Sequence, residues 1–312
     1  MILGSYYFKY RARKALRGDW QTALLVTFFA GFLATVLNVV QSLAFGEAEG
    51  ILNSLMLALS AEPQTAAQQQ QATLQAAQLL QRYRQAVEAI PMSTWTGMGV
   101  LALLSAVLGP MLSVSCCRYY LSRDEGDKPS LLQGLFGRSQ CLWRALWLYV
   151  RIAVQTFLWS LLLVIPGILA ALRYGMAPYF MAQDPSLSAG EALRLSKQAI
   201  KGHKLSYFLL SFSFLWWSLL GDVVLTLLGG GVVGLVAAQF VSLAIAVYRG
   251  ASVAAFYRTI ALPGGMEEAM GDMRTRMREA GMDEDDIRRA GFGDRDDNTI
   301  DEHDPADGDD EA

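Results

Sequence analysis

The chain has 312 residues, 53% hydrophobic and 18% charged, which is too apolar for an ordinary soluble domain. Its net charge of −3 hides a basic body and an acidic end: residues 1–262 hold 20 Lys and Arg against 11 Asp and Glu, and residues 263–312 hold 6 against 18. Three cysteines and two histidines exclude a disulfide framework and leave histidine-based metal or dyad chemistry almost nothing to build with.

Residues 1–20 carry Lys9, Arg11, Arg13, Lys14 and Arg17 beside Tyr6, Tyr7, Phe8 and Tyr10, the pattern of a helix lying among headgroups. The apolar run 23–45 is longer than the core of a cleaved signal peptide and reads as a retained first span. Residues 46–93 form a polar insertion, rich in Gln and Ala. Within it Thr73, Ala76, Leu80, Tyr83, Val87 and Ile90 share one helix face, and Pro91 ends the helix. That face packs on the bundle or on its equal in a neighbour; the bland alternative is a disordered segment, because the stripe is weak in bulk.

Residues 94–121 read as a second span, and its Cys116 and Cys117 are small buried residues. Arg118, Arg123, Lys128, Arg138 and Arg144 surround the loop that follows. Lys and Arg near span ends set orientation, so the N-terminus and residues 122–144 lie inside and 46–93 outside. Residues 142–182 are too long for one crossing of a roughly 30 Å hydrocarbon core. A span over 142–165, a turn at Pro166-Gly167 and a short return over 168–182 keep Arg194, Lys197, Lys201 and Lys204 on the inner side. Ser188 and Glu191 have capping-box spacing, which starts a surface helix over 188–201 that Gly202 stops.

Further spans fall at 205–228 and 232–260, with a turn at 229–231. In the last, Ser242, Ala246, Gly250 and Ala254 recur every four residues and suit close helix packing. Residues 263–312 form the tail. Met266, Met270, Met273 and Met277 line one face of a helix resting on the bundle, and from Asp283 onward the acidic composition predicts disorder. Asp294, Asp296 and Asn298 resemble the start of a calcium loop, but its glycine and last glutamate are missing. The fold class is therefore all-α, a polytopic transmembrane bundle of five or six spans over residues 21–262.

Several pieces resemble one bacterial membrane family. They are Arg13-Lys14-Ala15-Leu16-Arg17-Gly18-Asp19-Trp20, Leu161 to Ile168 around Pro166-Gly167, Tyr174-Gly175-Met176, Glu191-Ala192-Leu193-Arg194-Leu195-Ser196 with Lys201-Gly202, Ser211-Phe212 with Trp216-Trp217, and Ala255-Phe256-Tyr257. This is the uncharacterised integral-membrane family catalogued as domain of unknown function 975. The resemblance implies a multi-pass protein of the bacterial cell membrane with no assigned activity, so it transfers no catalytic residue. The insertion and the tail look like additions to it.

Phosphate-binding glycine loops, zinc-protease pairs and nucleophile elbows do not occur. No catalytic, cofactor or metal residues are assigned, and nothing identifies an enzyme. The expected partners are the bilayer and a membrane protein or a second copy, and not nucleic acid, because the cations lie at span boundaries. Charges inside spans mark functional sites by default. They are Arg151, Arg173 and Asp222, and Tyr207, Ser211 and Ser218 share a helix face with Asp222. The stripe is either packing glue or a solute path. Matching depths suggest an ion pair between Arg173 and Asp222. These readings give two functions, a non-enzymatic scaffold or partner subunit and a transporter or channel.

Overall fold

A computed structural model describes residues 4–60, 66–162, 164–227 and 232–292, and every regular element among them is helical. The first half runs α1 (Ser5–Leu16), α2 (Trp20–Ser60), α3 (Ala66–Glu88), α4 (Met92–Asp124), α5 (Leu131–Phe136) and α6 (Leu142–Leu162). The second half runs α7 (Val164–Tyr174), α8 (Ala177–Gln183), α9 (Ala189–Ala199), α10 (Lys204–Leu227), α11 (Val232–Ala261), α12 (Gly265–Glu279) and α13 (Glu284–Arg289). Three described helices are long and apolar enough to cross a membrane: Trp20–Ser60, Met92–Asp124 and Val236–Ala261.

The N-terminal helix is more deeply placed than a headgroup helix would be. Tyr7, Phe8, Arg11, Ala12 and Leu16 fall on one face of α1 and are buried. Phe8 meets Phe256 of α11 edge-on at 5.0 Å, and Tyr248 donates to the Lys9 carbonyl at 3.1 Å. Helical spacing of large aromatics builds this face; the cations around it take the rim.

α2 is 41 residues long, about 61 Å at 1.5 Å per residue. The expected first span ends at residue 45, but residues 46–60 continue the helix. Nothing in them stops it, since Gly46 and Gly50 lower helix propensity by only about 1 kcal/mol each and no proline intervenes. α3 returns along α2. Its half-buried residues are Ala72, Ala76, Leu79, Tyr83, Ala86 and Val87, with Ile90 just past its end, while Thr73 and Leu80 are exposed. The segment is therefore helical, with its packed face turned slightly from the expected stripe. Pro91 ends the approach and stands as the N-cap of α4, where Trp95 meets Phe45 of α2 edge-on.

The central stretch folds back as expected, α7 packing along α6, but not at the expected turn. Pro166 and Gly167 lie inside α7 rather than between two helices, because a proline in the first turn loses no helical hydrogen bond. Gly167 then lets the backbone press on Ser160 of α6. The return ends at Tyr174, after 11 residues or about 16 Å, and Pro178 opens the separate α8 in its first turn. A single return over 168–182 is thus replaced by two short helices. α9 starts at the expected capping box, with both reciprocal hydrogen bonds made between Ser188 and Glu191. It stops at Gly202, whose φ of +97° suits only glycine without strain.

The deep core sits at one end of the bundle. There α1, the last turns of α4, α8, α9, the start of α10 and the end of α11 bury Phe8, Tyr119, Met176, Met181, Ile200, Leu210 and Phe256. The four tail methionines pack against it from α12. The tail continues further than its composition suggests. Asp283 caps α13, Ile287 is fully buried, and Arg274 Nε donates to the Phe292 carbonyl at 2.7 Å. Two apolar side chains, Ile287 and Phe292, are enough to seat an otherwise acidic segment on α12. The residues of the calcium-like motif lie outside the described residues.

Candidate functional site

The residues expected inside the spans do not converge on one site. Arg151 leaves α6 toward the start of α9, where a Cβ on Gly190 would lie 2.9 Å from its Nη1. The Arg173 carbonyl accepts from Ser196 Oγ of α9 at 2.7 Å. Two residues on, Gly175 adjoins the Tyr207 hydroxyl, which places the end of α7 beside the first turn of α10. Tyr207 itself is buried, its ring stacked on Phe256 at 5.3 Å. Ser211 is half-buried, whereas Ser218 is exposed and donates to the Leu215 carbonyl of its own helix at 2.7 Å.

The side chain of Asp222 lies outside the described residues, but its position on α10 is described. It comes fifteen residues after Tyr207 in the same helix, about 22 Å along the axis. The expected Arg173–Asp222 pair thus lies outside the described residues; what is described is the end of α7, which Gly175 sets beside the start of α10.

The small-residue stripe of α11 divides in two. Ala254 is fully buried, and Gly250 makes room for the Tyr120 ring while its carbonyl accepts from the Tyr179 hydroxyl at 3.3 Å. Ser242 approaches Gly221 of α10, whereas Ala246 is exposed.

The structure instead gathers charge where the two ends of the chain meet. Asp124 is the last residue of α4, where helix carbonyls already concentrate negative charge. Arg11 answers it from α1, its Nε lying 2.8 and 3.1 Å from the two carboxylate oxygens. The same guanidinium reaches Glu268 of α12 at 2.9 Å. Arg258 of α11 completes the ring, 3.7 Å from Asp124 and 3.4 Å from Glu268. The Asp124 side chain is 1% exposed and that of Arg11 10%, so this is a desolvated pair. Burial opposes the charge on Arg11, yet Asp124 and the Tyr7 hydroxyl outweigh it and hold its pKa above the ordinary value.

Around this ring, Arg123 binds Asp19 at 3.1 Å and donates to the Ala15 carbonyl at 3.0 Å, and Lys14 approaches Asp272. Arg276 stacks on Tyr10, 3.7 Å from the ring centre. Two guanidiniums facing two carboxylates balance one another. The arrangement clamps α1, α4, α11 and α12 together and leaves no charged group of the ring free for a reaction. Sequence reasoning missed it because its members lie up to 257 positions apart. The one available signal was that Asp124 and Arg258 stand at the ends of two apolar runs on the same side.

Among the described residues no three of His, Cys, Asp and Glu gather around a point where a metal could sit. No curated protein and no solved structure matches this chain. The family match starts at residue 154, so the Arg13 to Trp20 piece lies outside it. Residues 154–262 match the family model described as Protein of unknown function (DUF975), the same family that the Ile-Pro-Gly, Tyr-Gly-Met and Glu-Ala-Leu-Arg-Leu-Ser pieces resemble.

Proposed function

We propose that this is a multi-pass protein of the bacterial cell membrane that acts without catalysis, as a scaffold or partner subunit. The carrying observation is the ion-paired head, in which helices from both ends of the chain are clamped onto the ends of α4 and α11. A head built this way offers a rigid platform, and the Lys and Arg pattern assigns it to the cytoplasmic side. Away from the head large apolar side chains stand free, among them Leu103 at 69%, Phe157 at 66% and Trp216 at 65% exposure. Lipid covers such residues, and so does a partner helix.

The transport reading has less support. Tyr207 is spent on ring packing and Ser218 on its own helix, so the stripe of α10 offers no continuous lining. Site-specific photo-crosslinking in cells from Leu103 and Trp216 tests the proposal, together with solute flux in proteoliposomes. The expected result is a discrete protein adduct, with the protein itself or one other chain, and no flux above empty vesicles. Lipid adducts alone, with a flux that Asp222→Asn abolishes, would replace the scaffold reading with transport.

A further inference from the structure

A cleft of about 440 Å³ opens beside the head between the last turns of α4, the loop before α5, and Arg138. Its polar lining is Arg118, Ser122, Asp127, Lys128, Gln133 and Arg138, with Tyr119 behind them. Three cations thus share the cleft with one carboxylate. The head clamp contrasts with it, since there each guanidinium faces carboxylates.

The three cations are only partly neutralised. Lys128 is exposed and has no ion-pair or hydrogen-bond partner among the described residues. Arg118 has Glu125 at 3.3 Å, at the rim. Arg138 is fixed by carbonyls alone: Nε donates to Ala182 at 2.8 Å and Nη2 to Gln183 at 3.4 Å. These bonds orient the guanidinium without cancelling its charge. Burial, and then the nearby Arg118, push the Arg138 pKa below the ordinary value. Two guanidiniums that repel each other across a cleft are a standing preference for an anion between them.

The uncharged lining points the same way. Ser122 adds a hydroxyl and Gln133 an amide to the lining. Two guanidiniums, one ammonium and a hydroxyl form the donor set that a tetrahedral oxyanion takes, with Arg matching two phosphate oxygens at once.

We propose that this cleft binds a phosphate group, with Arg118, Lys128 and Arg138 supplying the charge and Ser122 a hydroxyl donor. It follows directly on Leu121, the last large apolar residue of α4, which sets it at headgroup depth when α4 spans the bilayer. A phospholipid headgroup and a soluble phosphate ester present the same chemistry there. The proposal does not depend on the scaffold reading.

The full-length protein in neutral detergent is tested against two probes, phosphatidylglycerol counted by native mass spectrometry and inorganic phosphate followed by thermal shift. The variants are Arg118→Gln with Lys128→Gln, and separately Ser122→Ala; Arg138 is kept because it also holds the end of α8. The double variant should unfold at the parent's temperature without ligand and bind the effective probe tenfold or more weaker, since charge-assisted hydrogen bonds are lost. Ser122→Ala should weaken binding by several-fold. Retention of lipid with no response to phosphate assigns the site to a headgroup, and stabilisation by phosphate that also displaces lipid assigns it to a soluble ester. Equal binding of both probes by the parent and the double variant overturns the proposal, as does the absence of any binding to the parent.

Discussion

Replacing Arg11 by Met keeps most of the side-chain volume and removes the charge that faces Asp124. The carboxylate then keeps only Arg258, at 3.7 Å, beyond hydrogen-bond reach. Breaking a buried pair from one side costs about 3–5 kcal/mol. The remaining guanidinium puts the expected loss at the lower end, about 3 kcal/mol. The contact of Arg11 with Glu268 adds little, because that carboxylate is 49% exposed and exposed pairs are worth at most about 1 kcal/mol. Asp124→Leu should cost less than Arg11→Met, since Arg11 retains Glu268. In the double variant no charge is left stranded, so the two losses should overlap by about 1.5 kcal/mol or more. Denaturant titration of the detergent-solubilised protein, followed by circular dichroism, measures all four corners of the cycle. A single Arg11→Met variant within about 0.5 kcal/mol of the parent, or strictly additive losses, would refute the idea that a desolvated pair holds the head.

Truncation after Phe292 should leave the denaturation midpoint unchanged, whereas truncation after Gly281 should lower it, because only the second removes Ile287 and Phe292; equal midpoints would show that α13 is not seated. Gly250→Ala drives a methyl into the Tyr120 ring and should cost about 1–3 kcal/mol by overpacking, read in the same titration. Glu191 is held below the ordinary carboxylate range by its hydrogen bonds from Ser188. The cap's contribution is therefore complete above about pH 4.3 and is lost as pH falls through the lower folded value. Hydrogen exchange in the first turn of α9 should show this, and Glu191→Gln should flatten it. Single cysteines at Ser130 and Ser188, in a background without Cys116, Cys117 and Cys141, should resist an impermeant reagent added from outside intact cells; labelling at Ser188 would end the cytoplasmic assignment of α9.

Local features of this chain could be read from its residues, and the long-range ones could not. The capping box at Ser188, the stop at Gly202 and the methionine face of α12 each depend on neighbours a few positions apart, where helical periodicity is decisive. The expected first span, 23–45, covers only the apolar part of α2, because helices stop at breakers and not at Glu47 or Asn53. The turn at Pro166-Gly167 failed for a related reason: proline disrupts a helix interior but suits its first turn. The Arg11–Asp124 pair was out of reach, since nothing local distinguishes Arg11 from the four other cations of residues 1–20.

The position of the core follows from where water is. Between lipid-embedded helices there is little hydrophobic gain in burying one apolar side chain against another, because the surrounding tails are equally apolar. The most lipophilic window of α2 is accordingly the least buried of the three spanning candidates. At the head the alternative to burial is water, so Phe8, Leu16 and Met181 gain by leaving it. Charges obey the same division. Arg11 and Asp124 are tolerated in the interior only as a hydrogen-bonded pair at that end, whereas Arg118, Lys128 and Arg138 stay at a cleft mouth where a ligand or water can reach them. A chain arranged this way has one well-packed part, and changes there should reach every helix it clamps, while changes on the exposed apolar halves of the long helices should stay local.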